Sequence, residues 1–143
     1  MEGFAATVRR MWPPTVEEVA TVFRTAGVEA RLEELAVGED AFPGPAIRAQ
    51  AFLCDGRVVV ALVPAETEAD PRRLGCTSAR ELAPPRFPFR NADVAIDQSL
   101  FNERIVWIDA GSPRHVVGLS PVQLARLVRA RAGDFALDAG GPR

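Results

Sequence analysis

Few side chains in this sequence have the chemistry of a catalyst. His115 is the one imidazole, the side-chain type best suited to exchanging protons near neutral pH. It follows a glycine turn in the run Asp109-Ala110-Gly111-Ser112-Pro113-Arg114-His115. Asp97 ends the apolar stretch Val94-Ala95-Ile96, where a carboxylate either caps the next turn or faces a pocket. A lone histidine at a strand start is ordinarily structural, and so is a carboxylate after an apolar strand. Glu17-Glu18 and Glu33-Glu34 are adjacent pairs whose members point apart on a helix or strand, which suits solvated charge better than acid–base work. Cys54 and Cys76 have no CxxC spacing and no neighbouring histidine, so they do not make a zinc site. They read as reduced thiols of a cytoplasmic protein. One histidine also rules out a multi-histidine metal centre, and no cofactor or metal is expected.

All 17 basic residues are arginine. With no lysine, the chain has no amine for a Schiff base or a compact phosphate clamp, and arginine replaces neither cleanly. The formal net charge of -2 argues against a protein that coats nucleic acid electrostatically, although a local basic groove is compatible with it. Phosphate contacts could come from Arg72, Arg73, Arg86, Arg90, Arg126, Arg129 and Arg131. There is no Walker loop, GxGxxG, HExxH or GxSxG. No apolar run approaches the roughly 18 residues of a membrane span, and Met1 to Arg10 lacks the apolar core of a secretory signal.

The elements that must position these residues belong to one domain of 143 residues. Thr15 to Ala26 has helical spacing at Val16, Val19, Ala20 and Phe23. Thr15 and Glu18 suggest a capping box, and Gly27 a stop. Val28 to Leu35 reads as a weak strand, and Gly38 to Pro45 as a loop. Ile47 to Leu53 and Arg57 to Val63 flank an Asp55-Gly56 hairpin turn. Glu68 to Leu74 and Ser78 to Leu82 suggest short turns, the first begun by Asp70-Pro71. Pro84 to Arg90 suggests an irregular loop packed by Phe87 and Phe89. Asp93 to Ile96, Arg104 to Ile108 and His115 to Val117 read as strands. Pro121 to Arg129 reads as a helix capped by Ser120, and a frayed end is expected from Ala132 onward. The fold class is mixed α/β, or α+β, around one central sheet with flanking helices.

As an ordered set these segments resemble the YbaK/prolyl-tRNA-editing family over roughly residues 15–135, leaving 1–14 as an N-terminal extension and 136–143 as a tail. Residues 92–134 carry most of the likeness, through Asp97, Leu100, Gly111, Ser120-Pro121 and Leu124/Leu127. The helix before Gly27, the Asp55-Gly56 hairpin, Asp70 and Leu74-Gly75 extend it upstream. The resemblance implies hydrolysis of the ester that joins a wrong amino acid to the 3′ end of a tRNA, an editing reaction. In such a site, water attacks the carbonyl within a pocket whose fixed donors hold the developing oxyanion. The implied partners are the tRNA acceptor end and, potentially, a synthetase; oligomeric state is left open.

Departures from the family pattern are as informative. Ala49 stands at or near the family's lysine, with Arg48 and Gln50 the nearest polar neighbours. Strand alternation points both away from Ala49's side unless the register slips by one residue. The glycine-rich loop expected before Asp97 is shortened to Pro84–Phe89, without glycine, and Gly38 to Pro45 replaces a helix. The candidate site is therefore His115, Asp97 and Gly111 as catalytic residues, with Arg48, Gln50, Ser112 and Phe89 as substrate contacts. Three functions follow: a deacylase with an altered pocket; a non-catalytic relative that binds an aminoacyl-tRNA end, a synthetase or another protein; or an amino-acid or nucleotide sensor that reuses the cleft.

Overall fold

A computed structural model describes residues 12–36 and 41–138. Most of the 1–14 extension, part of the Gly38–Pro45 loop and the end of the tail therefore lie outside the described residues. The chain runs α1 (Pro14–Ala26), β1 (Arg31–Glu34), β2 (Ile47–Cys54), β3 (Arg57–Pro64), β4 (Thr67–Ala69) and β5 (Ala79–Leu82). It continues through β6 (Asp93–Asp97), a 3-10 turn (Gln98–Asn102), β7 (Val106–Ser112), β8 (His115–Leu119), α2 (Pro121–Val128), β9 (Arg131–Gly133) and β10 (Ala136–Asp138). The class is the mixed α+β expected.

The strands form three sheets rather than one. Five of them follow the order β5-β2-β3-β6-β9, antiparallel on one side and parallel from β3 onward. A three-stranded sheet has the order β1-β8-β7, and β10 pairs with β4. The main core lies between the two larger sheets, where Ile47, Ala51, Val60, Leu62, Val94 and Ile96 meet Val106, Ile108, Val117 and Leu119. Both helices close it, through Val19 and Phe23 of α1 and Leu124 and Val128 of α2. Leu62, Ile96 and Leu124 are fully buried, each contributing about 2 kcal/mol of apolar transfer. The opposite face of the five-stranded sheet carries a second cluster, with Phe52, Val59, Ala61, Val63, Ala95 and Phe135. This division follows strand alternation in β2: 47, 49 and 51 face one way, 52 and 54 the other.

Local chemistry explains the joints. Asp55 (φ 51°) and Gly56 (φ 89°) turn the β2–β3 hairpin in the left-handed region, as an Asp-Gly pair allows. Asp55 also accepts hydrogen bonds from the backbone N–H groups of Thr77 (3.0 Å) and Ser78 (2.7 Å), which hold its carboxyl below the ordinary range. Gly27 ends α1 in the left-handed conformation, and Ser120 accepts a hydrogen bond from the Gln123 N–H to start α2, both as expected.

Several expectations are corrected. Cys54 and Cys76 are joined in a disulfide, with Cα atoms 5.2 Å apart, rather than left as free thiols. Pairing β2 with β5 brings the two chain segments together. The ground for a cytoplasmic placement that rested on reduced cysteines is thereby removed, since disulfides persist mainly in oxidising compartments. Thr15 does not cap α1: the helix starts at Pro14, and the Thr15 hydroxyl donates to the Gly111 carbonyl at 2.7 Å instead. Ser78 to Leu82 contains strand β5 rather than a turn, and Glu68 to Leu74 begins within β4 before its turn. Residues 131–133 and 136–138 are strands, not a frayed end, because each finds a partner: β9 lies beside β6 and β10 beside β4. Among the described residues no helix is long and apolar enough to cross a membrane.

Candidate functional site

A cleft of about 420 Å³ opens between the first turns of α1, the start of β2, the Pro84–Phe89 loop and the β7–β8 hairpin. Val19, Ile47 and Phe89 supply apolar walls, and Thr15, Glu18, Asp109 and Ser112 bring polar groups to its lining. Each wall has a local cause. Phe89 is buried with φ 64° and stands edge-on to Phe87, which stacks on Phe23 of α1. The proline-rich loop is thus pinned to the helix by aromatic packing and closes one side. On the other side, β7 carries a wide bulge: Asp109 pairs with Val116 and Ser112 with His115, so two extra residues crowd into β7. Gly111 sits in that bulge at φ 98°. A Cβ there would come within 2.8 Å of the Thr15 carbonyl oxygen, so only glycine lets α1 dock against β7.

The bulge sets Ser112 opposite His115. Ser112 lies on the cleft wall, and its Oγ is 2.9 Å from His115 Nδ1. The same oxygen accepts the Arg114 N–H at 3.0 Å, which fixes the hydroxyl beside the imidazole. His115 is buried and reaches the cleft through Ser112 rather than lining it. Asp109, which sequence reasoning did not single out, also lines the cleft. Its residue surface is exposed, yet protein packed around the carboxyl pushes its pKa up. The available signal was its place as the one carboxylate in a strand leading to a glycine bulge. Arg86 and Glu18 face each other at 3.8 Å on the rim, both exposed, a pair of little energetic weight.

Of the residues expected at the site, Gly111, Ser112 and Phe89 line this cleft and His115 adjoins it. Ala49 lines it as well. Arg48, Gln50 and Asp97 are not brought there. No register slip occurs in β2, where Ala49 pairs with Leu62, so its two neighbours face the opposite side. Arg48 donates to the Thr67 carbonyl at 3.2 Å; Gln50 accepts the Ala69 N–H at 2.7 Å and donates to Glu81 at 3.2 Å. Asp97 shares the face of Ala95 and is 3% exposed. Its Oδ1 accepts the N–H groups of Phe135 (2.8 Å) and Ala136 (2.9 Å), while Oδ2 takes the Ser99 N–H and hydroxyl. Burial pushes this carboxyl up, but the four hydrogen bonds outweigh it and hold the pKa below the ordinary range. Asp97 is thus an anchor for the 3-10 turn and for the start of β10. No group of three or more His, Cys, Asp or Glu residues among the described residues is placed to hold a metal ion.

The mixed α+β fold has counterparts among solved structures. A proposed trans-editing enzyme for prolyl tRNA synthetase matches with a TM-score of 0.75 at 18% identity, over 88% of this chain and 99% of that one. A scaffold protein used for computational grafting of linear epitopes matches at 0.74 and 20% identity, with coverage of 88% and 99%. A proposed signal-transduction protein from Marinobacter aquaeolei VT8 matches at 0.66 and 15% identity, over 91% of this chain but only 32% of that one. At these identities the likeness shows the fold alone: this chain has the fold of a proposed prolyl trans-editing enzyme. No protein-family model matches the sequence, and no curated protein matches it.

Proposed function

We propose that the protein is an aminoacyl-tRNA deacylase of the trans-editing kind with a divergent site. The observation that carries this reading is the Ser112–His115 pair at the wall of a cleft that also contains Gly111 and Ala49. In the proposed reaction the 3′-terminal aminoacyl ester enters the cleft, its side chain against Val19, Ile47 and Phe89. A water attacks the carbonyl carbon and gives its proton to Ser112 Oγ as the serine proton moves to His115 Nδ1. The carbon–oxygen bond to the ribose breaks, the ribose oxygen takes the proton back, and a free amino acid and a 3′-hydroxyl tRNA leave. A relay of this type contributes about 100-fold or more to such a reaction.

A second reading is favoured by one specific feature. Ala49 puts a methyl group where the resemblance places an ammonium, and the described cleft offers only Arg86 as a cation. That composition suits a relative that binds an aminoacyl-tRNA end, or another partner, without turnover. A deacylation assay against a panel of mischarged tRNAs, including Ala-tRNAPro and Cys-tRNAPro, separates the two. Turnover that falls about 100-fold in both Ser112→Ala and His115→Ala supports the deacylase. Absence of turnover across the panel, with tRNA binding retained, rejects it in favour of the binding module.

A further inference from the structure

Behind the proline-rich loop lies a second depression, about 630 Å³, whose lining includes Arg57, Arg90, Arg129 and Arg131. Its apolar floor comes from Phe89, Val94, Leu127 and Val128. Asp93 is the single carboxylate in the lining, and it is paired with Arg57. Arg131 is partly engaged, donating to the Leu74 carbonyl at 3.0 Å with its guanidinium 5.3 Å from the Phe135 ring centre. Arg90 and Arg129 are exposed, and among the described residues neither makes a side-chain hydrogen bond or ion pair. Four guanidinium groups against one carboxylate make this groove locally cationic on a chain whose net charge is -2. Local fields of this kind, rather than net charge, select polyanions.

The groove also connects to the cleft. It shares Pro88, Arg90 and Leu127 with a broad furrow along the outer side of α1, and that furrow shares Arg86 and Phe87 with the cleft. The Pro85–Arg90 loop therefore borders all three depressions, and its Arg86 and Arg90 stand along the way from one site to the other. We infer that this arginine groove holds the sugar-phosphate strand of an RNA whose 3′ end enters the cleft. This deepens the deacylase reading and rests on it for the identity of the end. Phosphates pair with Arg90 and Arg129, whose forks are free to take them in bidentate fashion, while Arg57 and Arg131 add field. Of the arginines considered from sequence, Arg90, Arg129 and Arg131 converge here, and Arg57 joins them from the far end of the β2–β3 hairpin. Arg72 and Arg73 do not: they pair with Asp70, and Arg73 also with Asp134.

The test is the salt dependence of binding to an acceptor-stem hairpin RNA with its single-stranded 3′ end, read by fluorescence anisotropy. Removing two phosphate contacts makes the slope of log K against log salt shallower by about 1.5. The double variant Arg90→Ala/Arg129→Ala is expected to show that change. Arg31→Ala/Arg80→Ala, which removes the same charge from exposed strand positions elsewhere, is expected to keep the wild-type slope. Equal flattening in both variants, no RNA binding by the wild type, or full displacement of RNA by inorganic phosphate at matched phosphate concentration would each overturn the inference. The deacylation panel is scored separately. Groove-dependent binding without turnover rejects the chemistry and keeps the groove; turnover with an unchanged slope in Arg90→Ala/Arg129→Ala does the reverse.

Discussion

The two faces of the five-stranded sheet treat polar groups in opposite ways. On the face with Ala95 and Phe52, buried polar side chains have their partners: Asp97 accepts four hydrogen bonds and Gln50 bridges Ala69 and Glu81. On the face toward α1, Ala49 is bare and the nearby polar groups, Ser112 and Asp109, sit at an open cleft. The difference teaches how to separate scaffold from site. A buried carboxylate with every lone pair used has no capacity left for substrate, whereas a hydroxyl paired with an imidazole at the edge of a cleft is within reach of one.

Substitutions on the two faces should have different consequences. The largest effect is expected from Asp97→Ala, which strips partners from the Phe135, Ala136 and Ser99 N–H groups and costs about 3 kcal/mol or more in chemical denaturation. The same residue sets an acid sensitivity. Because its folded pKa is depressed, its contribution is present above the unfolded value and lost as pH falls through the folded one. The advantage of wild type over Asp97→Asn should therefore begin to shrink below about pH 4 and disappear only once the pH is below the depressed folded value. Replacing both Cys54 and Cys76 by alanine opens a link across a sequence separation of 22 and is expected to cost about 3 kcal/mol, again on the scaffold face. On the cleft side, Gly111→Ala meets the Thr15 carbonyl at a positive φ and should cost about 1–3 kcal/mol. It should also lower turnover, because it displaces the bulge that aims Ser112. The smallest effect is that of Asp109→Asn. Burial raises the Asp109 pKa, so ionising it costs folding free energy as pH rises, and the variant should be slightly more stable than wild type at neutral pH.

How far the sequence was legible depends on where each signal resides. Helix ends and the hairpin turn were readable because Gly27, Ser120 and Asp55-Gly56 act through their own backbone or that of close neighbours. Strands β5, β9 and β10 were not, since short exposed or mixed segments such as Arg131–Gly133 become strands only by finding a partner far along the chain. The Cys54–Cys76 bond was missed for the same reason: it depends on β2 and β5 lying side by side. At the site, alternation in β2 foretold that Ala49 and its neighbours would face opposite ways, and they do. Asp97 was legible as a cap but not as the partner of Phe135 and Ala136, which lie 38 and 39 residues away. Asp109 escaped notice because strand alternation is suspended at the bulge.

The contrast between the faces is tested most directly by measuring deacylation and unfolding together in Ser112→Ala and Gln50→Leu. A crossing is expected: Ser112→Ala loses about 100-fold in turnover with near wild-type stability, and Gln50→Leu loses about 1–3 kcal/mol with turnover intact in the folded protein. Turnover lost in Gln50→Leu but kept in Ser112→Ala would contradict it and move the site to the other face of the sheet.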